Sequence, residues 1–285
     1  MFENEMRTAE ALARKAGATI LRYFDEGFEV IEKPLNSHYS EPVTIADTTS
    51  SRIIVEGIAA EFPSDAVLSE EEDDDTERRL ASSRVWIIDP LDGTKGFTEK
   101  KGDFAVQIAL AVDGEPVLGV VFQPIGDLLY SAVKDEGCYL QTGGAEAAPL
   151  RVSKKTDFQS MTMAVSRSHR SSKMQRIFEH FGFRDEFAHG SVGLKVGFLA
   201  QQTADIYIHM SPHTKFWDTA APQVILSEAG GRLTDIFGDP IDYTRADVRN
   251  HNGIFASNGI VHDVAVAHLH TLLTEFGRLK VTAAN

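Results

Sequence analysis

The sequence predicts a layered α/β fold, with helices and sheets stacked around a shared core. Three observations point to it. Apolar residues recur at helical spacing in two stretches of the first sixty positions. Short β-rich runs fill positions 84–133. Strands and helices alternate from about residue 160. Such elements cannot bury their apolar faces alone, so they pack in layers.

The elements follow in order. Met6, Ala9, Leu12, Ala13, Ala16, Ile20, Tyr23 and Phe24 share one face of a helix over 5–27, which ends at Gly27. Residues 28–45 carry Pro34, Asn36, Ser37 and Pro42 and read as irregular. A second helix spans 47–61, with Asp47 as N-cap, Ile53, Ile54, Ile58 and Ala59 on one face, and Pro63 as its stop. A strand meander follows at 84–88, 104–112, 117–122 and 128–133, broken by Asp113-Gly114 and Pro124-Ile-Gly126. Beyond it lie a strand at 162–165, helices at 171–181 and 193–202, and a strand at 205–209. A helix at 217–229 closes on Gly230-Gly231, and Phe255-Ala-Ser-Asn258 precedes a last helix at 262–276. A boundary near 145–152, around Gly143-Gly-Ala-Glu-Ala-Ala-Pro149, divides an N-terminal α+β half, 1–150, which would hold the metal site, from a C-terminal α/β half, 151–285. The halves need not fold independently.

The 285 residues suffice for one large domain or two fused layers. A net charge of −14 disfavours nucleic acid polymers and anionic membranes as partners. A small phosphorylated substrate remains compatible, because local charge governs a site. Six acids in a row, Glu70 to Asp75, hold part of the excess. Residues 73–75 read as a solvated loop, whereas Glu70 follows an apolar, strand-like segment. The single cysteine, Cys138, excludes a disulfide framework and a multi-cysteine zinc site, and reads as a packing residue. No apolar run is long enough to span a membrane, and the acidic N-terminus has no signal-peptide pattern. A cytoplasmic enzyme is the expectation.

Carboxylates carry the candidate chemistry. Trp86-Ile-Ile-Asp-Pro-Leu-Asp-Gly-Thr-Lys95 puts Asp89 and Asp92 at the end of a strand, where the chain turns back toward one point. Leu91 can offer a cation only its backbone carbonyl. Gly93 admits close approach, and the N–H groups of Gly93, Thr94 and Lys95, if they open a helix, suit phosphate oxygens. Read alone, the segment is equally a capped strand-to-helix turn. Phe216-Trp-Asp-Thr-Ala-Ala221 sets Asp218 at the head of an Ala-rich helix, where it could be an N-cap. Leu68-Ser-Glu-Glu71 adds Glu70 and Glu71. Aspartate and glutamate without histidine or cysteine suit hard cations such as Mg²⁺, and a few carboxylates around Mg²⁺ form a phosphate-handling arrangement. The leading reading is a metal-dependent phosphatase.

The wording Asp-Pro-Leu-Asp-Gly-Thr, together with Trp-Asp-Thr-Ala-Ala…Ser-Glu-Ala-Gly-Gly and Glu70-Glu71, resembles the inositol monophosphatase family of Mg²⁺-dependent, lithium-sensitive phosphomonoesterases. The resemblance covers about residues 5–260. It implies a five-layer αβαβα sandwich and a site with two or three Mg²⁺ ions. Glu70, Asp89, Asp92, Asp218 and the Leu91 carbonyl would be their ligands. It also implies that Thr94 pairs with Asp47, in Val43-Thr-Ile-Ala-Asp47, to activate water, with Glu71 at the edge of the site. A homodimer fits the family.

Within that family the chain looks most like the 3'(2'),5'-bisphosphate nucleotidases of the CysQ type. Lys95-Gly96-Phe97 follows the Asp-Gly-Thr. Val165-Ser-Arg-Ser-His169 would bring Ser166 and His169 near ribose or phosphates. Gly190-Ser-Val-Gly-Leu-Lys195 would add Ser191, and Lys195 would neutralise a second phosphate. His209 departs from the pattern, standing where inositol enzymes carry glutamate and several nucleotidases arginine. Lys215 could supply the missing charge. Bland alternatives stay open: Lys195 as a surface lysine, Ser166 and Ser168 as caps, and His169, His209 and His213 as ordinary polar side chains. The expected reaction is hydrolysis of adenosine 3',5'-bisphosphate to AMP and phosphate, clearing a by-product of sulfate assimilation. The alternative is an inositol, histidinol or fructose phosphate. A non-catalytic binding protein is disfavoured, because every expected carboxylate is present.

Overall fold

The computed structural model describes residues 1–36, 39–167 and 171–282, with side chains described outside 32–41. The chain begins with α1 (Glu3–Glu26), the strands β1 (Val30–Asn36) and β2 (Tyr39–Thr44), and α2 (Ile45–Glu61). Then come β3 (Ala66–Ser69), α3 (Thr76–Ala81), β4 (Arg84–Asp92), α4 (Thr94–Thr98), β5 (Ala105–Val112), β6 (Glu115–Gln123), β7 (Leu128–Val133), β8 (Gly137–Thr142) and β9 (Ala148–Pro149). The second half holds β10 (Thr162–Ser166), α5 (Ser172–Phe181), β11 (Asp185–His189), α6 (Val192–Ala200), β12 (Ile206–His209), α7 (Phe216–Glu228), β13 (Arg232–Thr234), β14 (Ile254–Ser257) and α8 (His262–Glu275).

Strands β3 to β9 form one seven-stranded sheet in chain order, parallel only at β3–β4. A second sheet runs β11-β10-β12-β14-β13, with its first three strands parallel. Alternation along the strands builds the layers. Val106, Ile108 and Leu110 of β5 pack with α1 and α2, while Ala105, Ala109 and Ala111 face α7. In the second sheet, Ile206, Ile208 and Phe255 pack against α5 and α8, while Tyr207, Ile254 and Ala256 face α6. The result is five layers, with α1 and α2 outside the first sheet, α6 and α7 between the sheets, and α5 and α8 outside the second. Small residues set the spacing at the middle layer. A Cβ at Gly119 of β6 would lie 2.5 Å from the Ala221 carbonyl oxygen of α7.

Three local expectations are corrected. Val30–Asn36 and Tyr39–Thr44 form a two-stranded antiparallel ribbon rather than irregular chain. Both its prolines fit, because a two-stranded ribbon is all edge and leaves half of its N–H groups unpaired. The N-cap of α2 is Thr44, whose hydroxyl accepts the Ala46 N–H, and Asp47 sits three residues on. The acidic run is not simply a solvated loop: Asp75 caps α3 through the Arg78 N–H, and Asp74 pairs with the buried Arg79 at 2.9 Å. That pairing holds the Asp74 carboxyl below its ordinary range.

Candidate active site

Strand β4 continues past residue 88 to Asp92, and its register explains the acid pair. Asp89 opposes Gln107 and Asp92 opposes Ala105, so three steps along β4 match two along β5. One residue is extra, which is a β-bulge at Pro90–Leu91. Strand side chains alternate, so residues three apart would normally face opposite sides. The bulge returns Asp92 to the side of Asp89, toward α6 and α7, and sends Leu91 into the core with α1 and α2. The pair is aligned by a bulge within the strand, not by a turn after it. Asp218 approaches from α7, three residues past its N-cap, Lys215, whose N–H it accepts at 2.6 Å. Asp89, Asp92 and Asp218 each offer an oxygen, and these oxygens all lie within 4.8 Å of one another.

Burial pushes the Asp89 carboxyl far up, and the charges of Glu70, Asp92 and Asp218 push it further. Asp92 is also raised by burial, against the pull of Lys195 and of hydrogen bonds from Ser191 and Gly193. Buried acids that repel each other and offer only oxygen donors fit a hard divalent cation. Glu70 follows β3 and is half-buried, and its N–H bonds the Ile88 carbonyl at 3.2 Å. Glu71 is half-buried in the same turn. Lys215 holds its ammonium 3.9 Å from Glu70 and 4.9 Å from the centre of the Trp217 ring.

Beside the triad stands a second constellation. Gly93, at φ 94°, leads into α4, where a Cβ would meet the Asp103 carbonyl oxygen at 2.6 Å. Thr94 therefore opens the helix with its hydroxyl 3.0 Å from Asp47 Oδ1 and 3.1 Å from the Leu91 carbonyl. Asp47 Oδ2 accepts the Thr44 N–H at 2.7 Å and the Thr44 hydroxyl at 2.6 Å. Burial raises the Asp47 carboxyl, and its bonds from Thr44 and Thr94 pull it back.

The second-half residues converge on Tyr207. Ser191 caps α6 and donates its hydroxyl to Asp92. Lys195 is fully buried, which removes the surface-lysine alternative. Its ammonium donates to the carbonyls of His189 (3.2 Å) and Gly190 (2.8 Å) and sits 5.0 Å from the centre of the Tyr207 ring. Burial lowers its pKa to about 8, against the pull of Asp92, Asp103 and Asp218. The Tyr207 hydroxyl bonds Ser166 and lies 3.2 Å from His209 Nδ1. Ser166 and His209 line a cavity of about 390 Å³ at the C-terminal ends of β10, β11 and β12, where open α/β sheets take ligands. His169 lies outside the described residues. Cys138 is buried, with its thiol pushed up to about 12.

Sequence reasoning missed Tyr207, Arg167 and Asp103. Tyr207 reads as one more core residue of a strand. Arg167 lies within the Val165–His169 segment and lines the same cavity. Nothing in the sequence pairs it with Asp103.

The profile of the inositol monophosphatase family matches residues 3–274. The chain belongs to the inositol monophosphatase family. It is 35% identical to the 3'(2'),5'-bisphosphate nucleotidase CysQ of Escherichia coli K12 over 235 residues, covering 82% of this chain and 91% of that one. It is 30% identical to the inositol-1-monophosphatase of Bacillus subtilis 168 over 260 residues, covering 89% and 92%. The structure of an IMPase from Thermotoga maritima superimposes with a TM-score of 0.81 at 25% identity, covering 96% of this chain and all of that one. The five-layer sandwich is thus the fold of this family, and membership makes the chain a phosphoric monoester hydrolase. Among the described residues no helix is long and apolar enough to cross a membrane.

Proposed function

We propose that this chain is a cytoplasmic, Mg²⁺-dependent 3'(2'),5'-bisphosphate nucleotidase that converts adenosine 3',5'-bisphosphate to AMP and phosphate. One observation carries the chemistry: three clustered carboxylates beside a hydrogen-bonded Thr94–Asp47 pair. The choice of a nucleotide over a sugar is supported by the 35% identity to the Escherichia coli nucleotidase.

Asp89, Asp92, Asp218, Glu70 and the Leu91 carbonyl would hold two or three Mg²⁺ ions. When bound, Mg²⁺ neutralises charge on the phosphoryl and leaving oxygens. The chain's own residues do the rest. Thr94 donates its hydroxyl proton to Asp47, which leaves its oxygen lone pairs to accept from a water. Asp47, made less acidic by burial, takes the proton that passes through Thr94. Gly93 and Thr94 offer backbone N–H groups to the phosphate. Ser191 fixes Asp92, and Lys195, expected to meet a second phosphate, is instead fully buried on the His189 and Gly190 carbonyls and offsets the local negative charge from behind Asp92. Ser166, His169 and His209 would meet the nucleoside, and Glu71 would close the edge of the site. Lithium inhibition, a homodimer and a place in sulfur metabolism go with the same reading.

The test is phosphate release, with Mg²⁺, from adenosine 3',5'-bisphosphate, inositol 1-phosphate and fructose 1,6-bisphosphate. A kcat/KM at least about tenfold higher for the nucleotide, roughly 1.4 kcal/mol of transition-state binding, is expected. Preference for inositol 1-phosphate, which the Bacillus subtilis relative keeps open, would leave the carboxylate site standing and remove the nucleotide.

A further inference from the structure

One buried carboxylate remains without a task. Asp103 lies between α4 and β5 and is 2% exposed. Neither of its oxygens has a hydrogen-bond partner among the described residues. A buried charge is costly unless it is paired, so what stands against this one matters. The surrounding backbone is shaped to hold it. A Cβ at Gly96 of α4 would lie 2.0 Å from Asp103 Oδ1, and a Cβ at Gly190 would lie 2.7 Å from Oδ2. Any other residue at either glycine would displace the carboxylate. Among the described residues the cation at contact distance is Arg167, whose Nη1 stands 3.1 Å from Oδ2.

Arg167 connects this carboxylate to the cavity. Its side chain is 37% exposed and forms part of the cavity lining. A guanidinium is a planar fork with five N–H donors, and one edge held by a carboxylate leaves donors on the other. The rest of the lining is mixed. Val165, Met174, Ile208 and Met210 give it an apolar wall suited to a base, while Glu186 is the carboxylate among the described lining residues. An anion would therefore seat at the Arg167 end. On the other side, Asp103 abuts Gly93 and Gly96, the glycines flanking Thr94, and Gly190 leads directly into Ser191, which binds Asp92. The ion pair thus stands between the carboxylate cluster and the cavity.

We propose that Arg167 is a specificity-determining residue that binds the phosphate the reaction leaves in place, and that Asp103 is the positioning residue that holds its guanidinium at the cavity wall. The assignment rests on the nucleotidase reading and adds to it the group that distinguishes a bisphosphate from a monophosphate. For adenosine 3',5'-bisphosphate the retained group is the 5'-phosphate. Arginine suits it because two N–H groups can face two phosphate oxygens at once. Lysine would supply the charge without the fork.

The experiment measures kcat/KM for adenosine 3',5'-bisphosphate and for 3'-AMP, which lacks only the 5'-phosphate. It uses the Mg²⁺-loaded wild type and the variants Arg167→Gln, Arg167→Lys and Asp103→Asn. The wild type should prefer the bisphosphate. Arg167→Gln should lower that preference at least about tenfold, the scale of one lost charge-assisted contact, through KM rather than kcat. Arg167→Lys should recover part of it. Asp103→Asn should lower it by a smaller factor, again through KM, because the guanidinium is still present but less firmly held. A wild type that prefers the bisphosphate, with Arg167→Gln keeping the preference or losing both substrates equally, overturns the assignment of Arg167 alone. An Asp103→Asn enzyme that falls in kcat on both substrates overturns the positioning role. A wild type without the preference overturns the nucleotidase reading, and this assignment with it.

Discussion

The carboxylate cluster and the cavity beside it are built in opposite ways. The cluster takes its members from two fixed pieces of backbone, the β4 bulge and the first turn of α7. Asp89 and Asp92 are buried, all the charges have one sign, and the backbone sets the spacing. The cavity takes two to four residues from each of several segments. Ser166 ends β10, Arg167 follows it, Glu186 and Ala188 lie on β11, and His209 ends β12. Its charges are mixed and its side chains are partly exposed. The first region has little freedom to change without losing its chemistry. The second can change its preference one side chain at a time, which fits a family whose members share a fold across different named substrates.

This contrast can be broken from either side. Asp218→Asn removes one of three converging charges. It should lower phosphate release about 10³-fold, several kcal/mol of charge stabilisation at about 1.4 kcal/mol per factor of ten, on every substrate alike. Asp47→Asn leaves the cluster intact and removes the proton acceptor. Initial-rate kinetics should show kcat down about 10²-fold with KM little changed. His209→Ala alters only the cavity. KM for the nucleotide should rise roughly 2- to 10-fold, the worth of one neutral hydrogen bond, with kcat held. If His209→Ala lowered kcat as far as Asp47→Asn does, the two regions would not be separable.

The first region was legible in the sequence and the second much less so. Asp89, Asp92 and Asp218 sit in compact motifs whose residue types admit few chemistries. What the motifs hid was the means of alignment: a one-residue bulge is visible only against its partner strand. The layers were readable because helical spacing, a run of short strands and alternating α/β units follow one another along the chain. The β1–β2 ribbon was not, because Pro34 and Pro42 break a central strand but not a two-stranded ribbon. Thr44 was passed over as the cap of α2 because Asp47, a good capping type, lay three residues on and served the site instead. Tyr207, Asp103 and Arg167 come from three separate segments, and only tertiary packing brings them near the site.

The most direct test of the account is the thermal stability of the metal-free protein as Mg²⁺ is added, in wild type and Asp218→Asn, at about pH 5 and about pH 7.5. Asp47, Asp89 and Asp92 have raised folded pKa values. Their contribution to stability is therefore fully present below the ordinary carboxylate pKa and is lost as pH rises through the raised values. Bound Mg²⁺ would offset that loss, stabilising the folded state by mass action. The account predicts a saturable rise in Tm for wild type that is larger at the higher pH and tracks the Mg²⁺ dependence of activity. In Asp218→Asn that rise should be much reduced. Full activity without a divalent cation, or the same Mg²⁺ response in both proteins, would contradict it.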